Sequence, residues 1–201
     1  MATFMVAQSA WAVPSRVSPP PRPPPAPAVE LQPIPLADLQ CLARNALPPH
    51  LGGTVIDGAL PPAFVAARSL QQWQAGTPQR WCSSFYMRRQ ADRAVVGACG
   101  FKYPPQAGRV EIGYGVAAAC RNQGVARQAV AALLLRAFEH NADEGADEGP
   151  AVHEVLAQVN PDNGPSTQVV RSLGFQHEGL ATDAEGELLV QWVFRRPLPA
   201  R

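Results

Sequence analysis

Six residues, Arg121 to Ala126, read RNQGVA and join two segments of opposite character. Before them stands VEIGYGVAAAC, which alternates like a strand. After them runs RQAVAALLLRAFE, whose apolar residues recur at helical spacing. The start of a helix presents backbone N–H groups without partners and the positive end of the dipole, so anions collect there. No acidic residue in the turn competes for that place. Gly124 has no Cβ and lets an anion approach the backbone, and Ala126 is small to the same effect. Arg121 adds a two-pronged cationic donor at the rim, and Arg127 offers a second. Such a turn suits a pyrophosphate. It is not a P-loop, because the G-K-[ST] ending is missing, and no G-x-G-x-x-G is present.

The elements that must carry this turn can be read along the chain. VELQPI alternates as a short strand from Val29, LADLQCLARNAL has helical spacing, and PPAFVAARSLQQWQ is a second helix with proline at its start. Three strands follow in close order, WCSSFYMRR, RAVVGACGFKY and RVEIGYGVAA, separated by turn residues as in an antiparallel meander. After the glycine turn the spacing predicts a helix over 125–140, with Val130, Leu133, Leu134 and Phe138 on its apolar face. NADEGADEGP is an acidic, solvated loop and HEVLAQVN a strand. NGPSTQVVRSL is a short helix with Asn163 as N-cap and Gly174 as its stop, and a final hairpin turns near DAEGE. This order predicts an α+β domain, with a mixed, mainly antiparallel central sheet of about six to seven strands flanked by helices.

Length and composition bound the remainder. A chain of 201 residues holds one ordinary domain with some excess, and 46% hydrophobic content supplies a core. The excess is the leader 1–28, whose PSRVSPPPRPPPAPA can form neither helix nor central strand and reads as extended. The domain is set at 29–196, with a tail over 197–201. A net charge of +1 gives no global pull toward nucleic acid or an anionic membrane. Cys41, Cys82, Cys99 and Cys120 are scattered, and with His50, His140, His153 and His177 they form no zinc or redox spacing, so no metal is expected. The cysteines read as small buried apolar residues of a reducing compartment. MATFMVAQSAWAV lacks the basic start of a secretory signal and no apolar run is long enough to span a bilayer, which predicts a cytoplasmic protein.

Two motifs in order carry a resemblance. VEIGYGVAAACRNQGVARQAVAALL is similar to the strand, R/Q-x-x-G-x-G/A turn and central helix of the GNAT superfamily of acetyl-CoA-dependent N-acetyltransferases. NPDNGPSTQVVRSLGF is similar to that family's later N-x-x-S…L-G-F block, with Asn163, Ser166, Leu173, Gly174 and Phe175 in register. The EIGY form resembles the branch of ribosomal-protein N-terminal acetyltransferases. The likeness runs from about Val29 to Phe194.

The resemblance implies the GNAT fold and acetyl-CoA as co-substrate. The backbone amides of Arg121, Asn122, Gln123, Gly124, Val125 and Ala126 would take the pyrophosphate. The fourth and fifth strands would splay, with the pantetheine arm in the gap bonding the free backbone edge at Val116 and Ala117, and Asn163 reaching the cofactor from the next helix. Val116 and Ala117 could also be a plain strand end, and Asn163 a helix cap.

Direct attack of an amine on the thioester needs a base, an oxyanion donor and a proton for the thiolate. Glu111 is the base candidate; the other reading is an exposed residue or an ion pair with an arginine. Tyr114 orients substrate or packs, and a backbone N–H near Val116 is the oxyanion donor. Many GNAT enzymes place an acidic tyrosine where this chain has Val170. Ser166 is the substitute candidate at the sulfur, or an ordinary surface serine. The acceptor is a primary amine, a peptide N-terminus or a small molecule, in a pocket built from ALPPHLGGTVIDGALPPAF and the final hairpin. Asp57 and Glu111 are its candidate acidic lining, and a homodimer stays open. Two other functions remain: a catalytically weak coenzyme-A-binding sensor or partner subunit, and a scaffold that recruits through its proline-rich leader. Deletion of residues 1–28 would separate the scaffold from the others.

Overall fold

A computed structural model of the chain describes residues 28–139, 152–183 and 185–196. The proline-rich leader, the acidic loop, His140 and the tail fall outside the described residues. Strand β1 (Val29–Pro33) begins where the leader's prolines end and leads into α1 (Leu36–Leu42), after which α2 (Ala63–Gln74) and the single turn α3 (Gln79–Cys82) follow. The meander is β2 (Ser84–Arg89), β3 (Val95–Phe101) and β4 (Arg109–Val116). A 3-10 turn (Ala118–Cys120) then leads to α4 (Val125–Phe138), β5 (Glu154–Val159), α5 (Gly164–Ser172), β6 (Gln176–Thr182) and β7 (Leu188–Arg195).

Seven strands form one sheet in the order β1-β2-β3-β4-β5-β7-β6. Neighbours run antiparallel except β4 and β5, which are parallel. The expected mixed α+β sheet is therefore present. The hairpin does not simply extend it, because β7 inserts beside β5 and leaves β6 at the edge. β3 is buried along its whole length, since helices cover both faces of the sheet there.

Cross-strand rungs tell the two faces apart. Phe85, Cys99 and Tyr114 share one rung, and Arg136 of α4 lies 4.9 Å over the Phe85 ring, so this face belongs to α4. Ser84, Gly100 and Gly113 share the next rung, and the Ser84 and Ser69 hydroxyls meet at 3.0 Å, so that face belongs to α2. One continuous core fills the molecule, with Val130 and Leu133 of α4 fully buried as their spacing predicts. α4 adds Val125, Ala129 and Ala137 to that buried face. Cys82, Cys99 and Cys120 are buried and all four cysteines are free thiols.

Two boundary shifts stand out, both for local reasons. Trp81 and Cys82 do not open β2; Pro78 starts a helical turn there, and Trp81 packs edge-on against Phe101 at 5.2 Å. α1 stops at Leu42 rather than running on toward Leu47, because Asn45 takes a left-handed φ of 56° and Pro48 follows.

Candidate functional site

The seam between β4 and β5 is paired over only half its length. The parallel ladder runs from Arg109–Glu154 to Ile112–Ala157 and ends there. β4 continues to Val116 with β3 as its partner, and β5 continues to Val159 with β7 as its partner. The two strands therefore part into a fork beyond Ile112. Hydrogen bonds from Lys102 N–H to the Glu111 carbonyl (2.8 Å) and from Ala117 N–H to the Val96 carbonyl (3.0 Å) show which residues of β4 face β3. Alternation then turns the backbone groups of Tyr114 and Val116 into the fork.

This corrects one expectation. Ala117 is not an open edge residue: its N–H is held by Val96, and its carbonyl accepts from Cys120 N–H at 2.8 Å. The fork edge is Tyr114 and Val116. That the Tyr114 backbone faces the fork is not legible in the sequence, because strand alternation gives a parity only once one ladder bond is known.

At the mouth of the fork stands the glycine turn. Gly124 is the residue before α4 and has φ of 78°, a conformation that glycine adopts without strain. No side chain caps α4 and no acidic residue lies in its first turn, so its first amides are unclaimed by any cap. Asn122 is also left-handed, at φ 58°, which folds the turn tightly. Arg121 bends back, its Nε donating to the Val116 carbonyl at 3.3 Å, so a guanidinium sits where turn and fork meet. Gln123 donates to the Ala119 carbonyl and braces the turn from behind. Val125 buries its side chain in the core and offers only its amide, Ala126 is half-buried, and Arg127 points to solvent.

The other arm of the fork leads into α5. Asn163 caps it, its Oδ1 accepting from Ser166 N–H at 3.1 Å. Capping uses the oxygen and leaves the Nδ2 donors. Ser166 is half-buried, and its carbonyl accepts from the Tyr114 hydroxyl at 3.4 Å. Burial pushes the Tyr114 phenol above its ordinary value. Val170 is fully buried and brings no polar group.

Glu111 lies on the opposite, α2 face and pairs with Lys102 at 2.5 Å. The ion pair foreseen for Glu111 exists, but the partner is the chain's one lysine rather than an arginine. Lys102 was overlooked; the meander puts it directly across from Glu111, where opposite charges attract. Gln72 of α2 donates to the Lys102 carbonyl at 2.6 Å and fixes that end of β3. Beyond the pair the surface opens at the glycines: a Cβ on Gly115 would meet nothing within 4 Å, and one on Gly113 would touch only the Lys102 side chain, at 3.6 Å. Asp57 does not join this face. Its neighbour Ile56 bonds Val95 at the start of β3, whereas Lys102 follows the end of that strand, about 20 Å away.

The closed end of the seam is built differently. Arg109 pairs with Glu154 (2.5 Å) and Glu178 (2.8 Å), and Arg195 pairs with Glu154 (2.8 Å) and Glu178 (2.7 Å). This ring of four charges ties β4, β5, β6 and β7 together. The Arg109 hydrogen bond holds the Glu154 carboxyl below its usual range.

Residues 31–176 match the acetyltransferase (GNAT) domain family, and the chain belongs to it. Over 104 residues it is 35% identical to the uncharacterized N-acetyltransferase p20 of Bacillus licheniformis, covering 50% of this chain and 53% of that protein. The chain thus spans about half the length of this curated relative. Among solved structures, Mycobacterium smegmatis RimJ in complex with CoA-disulfide aligns at TM-score 0.54 and 21% identity, over 85% of this chain and 83% of that one. The ribosomal-protein-S5-alanine acetyltransferase from Vibrio fischeri aligns at TM-score 0.55 and 16% identity, over 83% and 92%. At these identities the likeness is one of fold. No helix among the described residues is long and apolar enough to cross a membrane.

Proposed function

We propose that the protein is an acetyl-CoA-dependent N-acetyltransferase that acetylates a primary amine by direct attack on the thioester. The carrying observation is the fork: the β4–β5 ladder stops at Ile112–Ala157 with an uncapped helix start at its mouth. A strand edge, an anion-seeking helix end and a glycine turn on one line match a substrate that is part peptide-like and part pyrophosphate. On this reading the amides of Gly124, Val125 and Ala126 hold the phosphates, with Arg121, Asn122 and Gln123 shaping the rim. The Asn163 amide nitrogen and the edge groups of Val116 hold the pantetheine arm. The Tyr114 and Val116 N–H groups face the fork and serve the oxyanion.

Glu111 is the base, taking the amine's proton directly or through water, and Ser166 Oγ hydrogen-bonds the departing sulfur. The acceptor enters over the glycine floor of Gly113 and Gly115. Two arguments favour the α-amine of a peptide over a polyamine. The Lys102–Glu111 pair is neutral as a unit and draws no polycation. An α-amine, with pKa of about 8, is also far more often neutral at pH 7.5 than an alkyl amine of about 10.4. The Vibrio fischeri relative carries an alanine acceptor in its name, which makes N-terminal alanine the first choice. The four free thiols suit a reducing cytoplasm.

A second reading is a coenzyme A sensor with little turnover. The pairing of Glu111 with Lys102 and the apolar Val170 both favour it. Calorimetry with acetyl-CoA, then product detection on an alanyl peptide and on spermidine, separates the two. Glu111→Gln should keep acetyl-CoA affinity and lose kcat by about 100-fold or more. Tight binding with no product from any amine would establish the sensor instead.

A further inference from the structure

We propose that Tyr114 is the proton donor to the departing sulfur, the role that Val170 leaves empty. This rests on the acetyl-transfer reading. Tyr114 stands on the α4 face of β4, on the rung with Phe85 and Cys99. Its hydroxyl meets the Ser166 carbonyl in the first turn of α5. The side chain therefore starts on one arm of the fork and ends on the helix that follows the other. Glu111 stands on the reverse face, beside Lys102. A carbonyl carbon held in the fork has a base on one side of the sheet and a phenol on the other. Attack from the α2 face then pushes the leaving group toward the α4 face.

The hydroxyl is available for this. Its one hydrogen bond among the described residues is 3.4 Å long, beyond the usual range of about 2.5–3.0 Å for O–H···O. It is a phenol, of ordinary pKa about 10 against about 8.5 for a thiol. The Ser166 hydroxyl is a far weaker acid, so it can hydrogen-bond sulfur without protonating it. Burial keeps the phenol in its protonated form.

The step balances as follows. The amine nitrogen forms a bond to the acetyl carbon, and the carbon–sulfur bond breaks with its electron pair going to sulfur. Sulfur takes the Tyr114 proton. The proton lost by the amine goes to Glu111 and then to solvent, and the Tyr114 phenolate recovers a proton from water as the thiol leaves.

The test does not depend on knowing the acceptor. Free coenzyme A is bound to the wild type and to Tyr114→Phe, and the bound thiol is titrated by its thiolate ultraviolet absorbance. Loss of the phenol's hydrogen bond to the thiolate should raise the bound thiol's pKa by about one unit, tenfold less thiolate at a given pH. Tyr114→His, which keeps a donor on a ring, should recover part of the shift, and Ser166→Ala should move it less. With the alanyl peptide, Tyr114→Phe should lose about 100-fold in kcat with KM for acetyl-CoA unchanged. A merely structural tyrosine would move KM and leave the thiol alone. Identical thiol titrations in the wild type and in Tyr114→Phe, each with coenzyme A bound, overturn this role and leave acetyl transfer standing. A wild type that binds no coenzyme A overturns both.

Discussion

The two ends of the β4–β5 seam are made of opposite materials. At the closed end, Val110 and Val155 are buried, the ladder is complete, and every charge of the Arg109–Glu154–Arg195–Glu178 ring has two partners. At the open end the side chains shrink to Gly113 and Gly115, two edges lose their ladder, and two helices begin. The same chemistry has different consequences in the two places. A charge with two partners in a closed ring is committed to structure. Among the described residues Glu111 has a single partner, Lys102, and it stands one residue before the ladder ends; in the proposed reaction it exchanges that partner for the amine.

The sharpest way to break this contrast is at the open end. Gly124→Glu places a carboxylate beside the proposed phosphate site and forces a side chain into a left-handed conformation. It should cost about 3 kcal/mol of acetyl-CoA affinity, roughly 100-fold by calorimetry, while the strain lowers the thermal midpoint by only a few degrees. Binding that survives would put the phosphates elsewhere.

The closed end should answer in stability alone. Arg109→Ala leaves Glu154 and Glu178 to share Arg195; because the ring is partly exposed, the loss should be about 1 kcal/mol in urea unfolding, with acetyl-CoA affinity unchanged. The pH dependence has a definite sign. The folded Glu154 carboxyl is held below its unfolded value, so its contribution is present above about pH 4.3 and is lost as pH falls through the folded value. The wild type should therefore destabilise on acidification more steeply than Arg109→Ala, whose curve lacks most of that term.

The smallest effect sharpens the comparison within the open end, at the start of α5 on the second arm of the fork. Asn163→Ala removes a cap and should cost about 1 kcal/mol of stability, with acetyl-CoA bound only a few fold more weakly. A loss of affinity matching Gly124→Glu would make Asn163 a principal ligand rather than chiefly a cap.

The residues themselves determined a good deal. Alternation, helical spacing and turn glycines place every strand and the two motif-bearing helices, because these patterns follow from backbone periods of 2 and 3.6 that need no tertiary partner. The uncapped RNQGVA turn and the Asn163 cap are likewise local, set by the conformations that glycine and asparagine tolerate. What the tertiary structure decided is everything that depends on which strand lies beside which. The insertion of β7 between β5 and β6, the stop at Ile112, the parity that excludes Ala117 and admits Tyr114, and the meeting of Lys102 with Glu111 are all of this kind. Periodicity gives each segment a face. Only pairing gives it a neighbour, and the chemistry of this site lies between neighbours.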